Sequence, residues 1–395
     1  MHGTLTPAMR GDVDRLIEAA RALRPEIDAV RDELDRQRRL PPTLVEVMRS
    51  AGMFTLWLPR TLGGPALNVI DFIKVIEELA RFDGSVGWCA TNGAGYSRLA
   101  GYLPSSVAAE IFDGGRSVLA GTLNPTGKAV VVAGGYRVTG RWAYGSGITH
   151  SNWTIGNCIV HDGDKPRLES NGTPEVRMMI FPTSAVEIID TWHVGGLRGT
   201  GSHDYRVADL YVAQDHSFPG FTPTPTVPGT LYALPMTTVL GVVIAAVPLG
   251  IARAAIDALV DLALAKTPMG SAVLLRDRPA VQADVGRAES LLRSARAFLF
   301  EAVQELWDEV EGGAPASMRK RALVRLANAR AAAASAQVVD LMHRAGGGSS
   351  IYESSRLERC FRDVHAATQH IAVASGNYEI GGRVLLGLDP GTPRF

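Results

Sequence analysis

Cysteine is scarce. The 395 residues hold Cys89, Cys158 and Cys360 alone, an odd number, widely spaced, with no CxxC and no Cys/His ligand spacing. This argues against a disulfide framework and against a structural metal site, and makes a reducing cytoplasm the default expectation. Excess charge is missing too. Forty basic side chains balance forty acidic ones, so there is no net basic field to hold nucleic-acid phosphates. Several catalytic signatures are absent: no GxxxxGKS/T phosphate loop, no HExxH and no GxSxG nucleophile elbow. Gly195–Ser202 is glycine-rich but does not fit strand–GxGxxG–helix, so no NAD(P)H-binding signature remains. The N-terminus carries Arg10, Asp12 and Asp14 and has no apolar run, and does not read as a secretory signal. Charge also vanishes locally: His216–Ala252 contains no Asp, Glu, Lys or Arg. A membrane-spanning helix needs about 20 apolar residues. Here Gly241, Pro248 and Gly250 interrupt the run, Arg253 ends it, and Ile256, Leu259, Val260 and Leu262 continue at helical spacing. The stretch reads as a buried helix of a bundle.

What is present falls into three zones. Residues 1–116 read as helical, with Val13, Leu16, Ile17, Ala20 and Leu23, and again Ile70, Phe72, Ile73, Val75, Ile76 and Leu79, at helical spacing. Pro41-Pro42 opens a helix through Leu44–Met48 that Gly52 closes. Residues 117–220 change period to short β-branched or aromatic runs between turn signals such as Gly134-Gly135 and Asn171-Gly172, which suggests an antiparallel barrel or sandwich. Residues 221–395 open on a proline-rich connection and read as four long helices, 236–265, 279–312, 317–345 and 354–375, hence a bundle.

Two segments carry candidate chemistry. Gly346-Gly347-Gly348-Ser349-Ser350 leads toward a helix N-terminus, whose free N–H groups suit a pyrophosphate. The same stretch, with Arg362 and Asp363 beyond it, also reads as a hairpin turn followed by a salt-bridged pair. His370 stands alone on the last helical stretch. His365 lies about 140° away round a helix, so the two share no metal-binding face.

The order of zones resembles the acyl-CoA dehydrogenase fold, an α+β multi-domain architecture with an N-terminal helical domain, a small central β-barrel and a C-terminal four-helix bundle. Trp142-Ala143-Tyr144-Gly145-Ser146-Gly147 with His150 and Trp153 resembles the strand that passes the flavin there. Gly196–Ser202 resembles the turn before the last strands, and Leu357–Asp363 the LERxxRD start of the final core helix. The departures bear on activity. The family's α-proton-abstracting Glu would fall at Ile371, the alternative position is empty because no Asp or Glu lies between Asp215 and Asp257, and Glu379 is two helical turns too far. Dehydrogenation is disfavoured. Arg362-Asp363 followed by His370, together with Trp192–Ser202 and Ser146–Trp153, resembles instead the flavin-dependent monooxygenases of this fold. These are the oxygenase components of two-component systems such as 4-hydroxyphenylacetate and steroid-ring phenol hydroxylases.

That resemblance implies a C4a-hydroperoxyflavin formed from reduced flavin and O2, and hydroxylation of a small phenol- or indole-type aromatic. Alternatives are N-hydroxylation of an amine, or a flavin oxidoreductase with a relocated base. By the same resemblance Ser146 would sit near flavin N5, Gly147 beside it, Trp153 against the ring and Asn124 at the pyrimidine edge. His370 would serve as acid or base at the reacting face. Arg276 or Arg278 with Gly347, Gly348 and Ser349 would meet the tail of a neighbouring subunit's flavin, reduced FAD slightly ahead of FMN, in a homotetramer or dimer of dimers. A separate NAD(P)H:flavin reductase would be the partner. Phenol hydroxylases of this group carry a His where Tyr96 stands. Tyrosine is a poor base, and Tyr96 with Asn92, four residues apart, would line the substrate pocket.

Overall fold

A computed structural model describes residues 7–392 and 395. The first zone is α1 (Pro7–Ala22), α2 (Arg24–Gln37), α3 (Pro42–Ser50), α4 (Val69–Phe82), α5 (Gly84–Ser97) and α6 (Ser105–Phe112). Asn68 caps α4 by accepting from the Asp71 N–H, and Asp83 caps α5 by accepting from Ser85 and Val86. α5 has no apolar stripe because nearly all of it is buried. Its glycines answer close contacts: a Cβ at Gly87 would lie 2.6 Å from that of Ala80, and one at Gly93 would lie 2.8 Å from the Phe54 ring.

The β zone holds β1 (Leu119–Val132), β2 (Gly135–Gly145), β3 (Trp153–Asp162), β4 (Lys165–Pro166), β5 (Val176–Pro182), β6 (Glu187–Ile189), β7 (His203–Ala213) and β8 (Ser217–Pro219). They form one sheet in the order β6-β7-β2-β1-β3-β5-β8, with β4 paired to β3. This corrects the expected antiparallel barrel: β1 and β3 run parallel, and the strand path is open among the described residues. The reason is local. β2 returns antiparallel on one edge of β1. The chain then leaves β2 through Tyr144 (φ 67), crosses by a 3-10 turn at Ile148–His150, and enters β3 on the other edge of β1. β1 and β2 also extend past their β-branched runs, and the β1–β3 register shifts between Thr122 and Gly127, where Leu123-Asn124-Pro125-Thr126 bulges.

The last zone contains α7 (Thr230–Ala233), α8 (Met236–Ala265), α9 (Pro279–Glu311), α10 (Met318–Gly346), α11 (Arg356–Ala367) and α12 (Gly376–Leu385). Among the described residues α8 is the one helix apolar and long enough to cross a membrane, yet 89% of its most apolar window is buried inside the protein. Gly250 serves packing there, since a Cβ would lie 2.5 Å from the Glu77 carbonyl of α4. The helix expected over 354–375 is broken after Ala367. Asn377 donates from Nδ2 to the carbonyls of Ile371 and Ala374, and His370 Nδ1 accepts the Ala372 N–H. Side chains thus replace the helical bonds of this turn, and His370 sits on a turn rather than on a helix.

Candidate active site

The LERxxRD stretch organises the site before any reactive group is considered. Arg359 on α11 is ion-paired to Asp83 at 2.8 Å and Asp35 at 3.1 Å, with Asp363 at 3.9 Å. Asp363 accepts the Leu197 N–H at 2.7 Å, and Arg362 donates to the Gly195 carbonyl at 2.8 Å. Gly196 packs so closely that a Cβ would come 2.0 Å from the Arg362 carbonyl oxygen. One buried charge cluster therefore joins the N-terminus of α5, the Gly195–Ser202 turn and α11. Arg362 and Asp363 do not pair with each other as the sequence reading had it: Arg362 is ion-paired to Asp35 at 3.0 Å and to Glu358 at 2.6 Å, and Asp363 faces Arg359. Burial pushes the Asp363 carboxyl up to about 7, against the pull of Arg359.

Three sequence segments meet beyond this cluster. On α5, Trp88 donates its indole N–H to Ser146 Oγ at 3.0 Å. Ser146 Oγ lies 2.7 Å from Ser202 Oγ, which lies 2.7 Å from Thr200 Oγ1, and Thr200 donates to the Leu197 carbonyl at 2.9 Å. The Gly147 N–H donates to the Thr200 carbonyl at 2.9 Å. On its other side Trp88 meets His370 edge to face, with ring centroids 5.8 Å apart. The β2 end, the glycine turn and the His370 turn are thus gathered around one indole.

The surroundings of His370 select one tautomer of its ring. Its Nδ1 accepts the Ala372 N–H at 3.2 Å, which assigns the neutral ring its proton on Nε2. Burial of the ring lowers its pKa to about 4. At neutral pH the ring then offers an Nε2–H donor.

Tyr96 is closed off in another way. It is buried, donates its hydroxyl to the Gly121 carbonyl at 3.0 Å, and burial pushes its pKa upward. It packs with Leu99, Leu119, Ile155 and Met236, with Leu123, Trp153 and Leu240 against that cluster. Asn92 donates to the Trp88 carbonyl at 2.8 Å. Trp153 stacks on His216 with centroids 5.9 Å apart. Asn124 is exposed on the β1 bulge. His365 is engaged with Asp340 of α10 at 3.0 Å. Ile371 and Glu379 are both exposed, so neither replaces the missing carboxylate at the Trp88 cluster.

The residues assigned to the cofactor's tail lie elsewhere. Lys266, at the end of α8, donates to the Gly346 carbonyl at 2.8 Å, and its own carbonyl accepts from Leu275, next to Arg276. Arg276, Arg278, Gly347 and Gly348 are exposed at that end. Gly241, near the start of α8, approaches Ala372 of the His370 turn. The helix between these points spans roughly 35 Å at 1.5 Å per residue, so one chain does not bring the two groups together. A cavity of about 600 Å³ lies between α1, α4, α8 and α9, away from both, and is lined by paired charges such as Arg296–Glu77 and Arg253–Glu289.

Sequence reading missed Trp88, Thr200, Ser202 and Lys266 as participants. The Gly-Thr-Gly-Ser turn was visible as a landmark, but only folding shows that it is linked through Ser146 to Trp88 by hydrogen bonds. The donor set suits a flavin edge. An oxygen (Ser146) and an N–H (His370) flank one aromatic ring, and Gly147 at φ 77 presents backbone without a side chain.

Comparison with known proteins agrees with this geometry. Residues 14–101 match the acyl-CoA dehydrogenase N-terminal domain and residues 242–375 the acyl-CoA dehydrogenase C-terminal domain. The chain is 34% identical over 371 residues to an indole-3-acetate monooxygenase of Pseudomonas putida, covering 92% of this chain and 93% of that one. It is 28% identical over 397 residues to the flavin-dependent monooxygenase oxygenase subunit HsaA of Mycobacterium tuberculosis, covering 95% and 98%. The structure of XiaF from Streptomyces sp. in complex with FADH2 superimposes with a TM-score of 0.90 at 26% identity, covering 98% of each chain. The chain belongs to the flavin-dependent monooxygenases built on the acyl-CoA dehydrogenase fold. It is an enzyme of that class, a flavin-dependent monooxygenase, and its relatives are named as oxygenase components or subunits.

Proposed function

We propose that this oxygenase hydroxylates an indole-type aromatic, an indole-3-acetate-like acid being the first candidate. The observation that carries this reading is Tyr96. A phenol hydroxylase of this group would place a base at this position, whereas the Tyr96 hydroxyl is bound to the Gly121 carbonyl and held protonated by burial. An indole ring is electron-rich without deprotonation and needs no such base. The 34% identity to an indole-3-acetate monooxygenase supports the same choice.

Reduced flavin, when bound, supplies the electrons that activate O2. Ser146, Gly147, Trp153 and Asn124 would hold its ring, with Ser146 at N5, while Trp88 fixes Ser146 from behind. His370 would hold a hydrogen bond to the reacting oxygen through Nε2–H. Asn92 and Tyr96 wall the substrate side. Arg276, Arg278, Gly347, Gly348, Ser349 and Lys266 would meet the flavin tail of a neighbouring subunit, which the roughly 35 Å separation within one chain requires if they serve a flavin at all. A homotetramer in the cytoplasm, using FADH2 in preference to FMNH2, completes the reading.

The test is consumption of indole-3-acetate against that of a simple phenol, with chemically reduced FAD and O2. Turnover of the indole above the phenol supports the assignment. Preference for the phenol, or turnover of neither, contradicts it.

A further inference from the structure

Four hydrogen-bonded gaps link Trp88 to Leu197 through three hydroxyls, and the two ends fix the direction of all of them. An indole N–H only donates, so Trp88 Nε1 donates to Ser146 Oγ. A carbonyl only accepts, and Leu197 O lies 2.9 Å from Thr200 Oγ1, so the Thr200 hydrogen goes there. Ser202 Oγ is 2.7 Å from Thr200 Oγ1. Two oxygens that close repel unless a hydrogen lies between them, and Thr200 has none left, so Ser202 donates. By the same reasoning Ser146 donates to Ser202 across 2.7 Å. Every hydroxyl hydrogen is then used. What remains open on Ser146 is a lone pair. The far end is held in place, since Leu197 O also accepts the Trp192 indole N–H at 3.0 Å, and bonds aligned in one direction strengthen one another.

We infer that this one-way relay makes Ser146 a hydrogen-bond acceptor and thereby selects reduced flavin, whose N5 carries a hydrogen, over oxidised flavin, whose N5 carries a lone pair. The inference rests on the proposed placement of Ser146 at N5. Ser202 and Thr200 are positioning residues that act through Ser146, and Trp88 holds the other end. Oxidised flavin facing this oxygen loses a hydrogen bond and opposes two lone pairs, an effect of about tenfold or more in affinity.

The test compares dissociation constants for oxidised FAD, by fluorescence quenching, and for reduced FAD, by anaerobic titration, in the unaltered protein, Ser146→Ala and Ser202→Ala. The unaltered protein should bind reduced FAD more tightly. Ser202→Ala releases the Ser146 hydrogen, so oxidised FAD should bind about tenfold more tightly and the ratio of the two constants should fall accordingly. If Ser146→Ala changes the ratio and Ser202→Ala does not, the relay is overturned while the placement of Ser146 stands. If neither changes it, the placement fails and the inference falls with it. Thr200→Val, which removes the acceptor of Ser202 at nearly constant volume, should act like Ser202→Ala and replaces it if that variant does not fold by circular dichroism.

Discussion

Asp363 and Leu197, 166 residues apart in the chain, are joined by a 2.7 Å hydrogen bond from the Leu197 N–H to the Asp363 carboxylate. Leu197 lies in the left-handed region at φ 52, a conformation that a leucine adopts at a cost. The carboxylate fixes this strained residue, and with it the turn that carries Thr200 and Ser202.

Asp363→Ala should therefore do more than remove one bond. It leaves the buried Leu197 N–H without its acceptor and releases the strained turn, while Arg359 keeps Asp83 and Asp35, and the expected destabilisation is about 1–3 kcal/mol. Urea unfolding at pH 7 measures it. A loss below about 1 kcal/mol would show that the cluster does not hold the turn.

His370 should act without titrating. With Nδ1 occupied by the Ala372 N–H and its pKa lowered to about 4, it stays neutral from pH 5.5 to 8, a window set by that value. His370→Ala should lower the product formed per reduced flavin by about 10²-fold or more while leaving the fold intact. No inflection near pH 6.5 attributable to His370 should appear in the rate of product formation. An inflection there that vanishes in His370→Ala would restore the imidazolium acid.

Tyr96→Phe separates a wall from a base. It removes one buried hydroxyl and leaves the Gly121 carbonyl unpaired, at about 1–2 kcal/mol, measurable by thermal unfolding. The maximal rate of product formation should stay within a few-fold. A fall of several orders of magnitude would make the phenol group a participant in the reaction.

Acid should weaken the fold through two histidines. His150 has both ring nitrogens buried without partners, and burial and then Arg49 lower its pKa to about 4, as burial lowers that of His370. Both have folded values below the ordinary 6.5. Their contribution is therefore complete above pH 6.5 and is lost as pH falls toward 4, by up to about 3 kcal/mol each. Urea midpoints between pH 7 and 5 should fall less in His150→Leu than in the unaltered protein. Equal slopes would contradict the lowered value.

Much of the fold was legible because its signals are local. Periodicity marks α1, α4 and α8, and proline and glycine bound α3. α5 shows no stripe, since a helix buried on all sides has no polar face to alternate with. The parallel β1–β3 pair was not legible because strand order depends on where the chain crosses, not on residue type. The break after Ala367 was not legible because it depends on side chains: His370 Nδ1 accepts the Ala372 N–H, and Asn377, whose side-chain Oδ1 accepts from Arg325 at 2.9 Å, donates to two backbone carbonyls. At the site, Ser146 and His370 stood out by their place in motifs. Trp88 and Ser202 did not, because spacing along a chain says nothing of hydrogen bonds across 58 and 56 residues.

The most direct measurement is mass spectrometry of the product formed from indole-3-acetate, anaerobically reduced FAD and isotopically labelled O2. One labelled oxygen atom in a hydroxylated indole product, formed only with reduced flavin present, is the expected result. An unlabelled product, or reoxidation of the flavin with the indole untouched across a series of indole acids, would contradict the assignment.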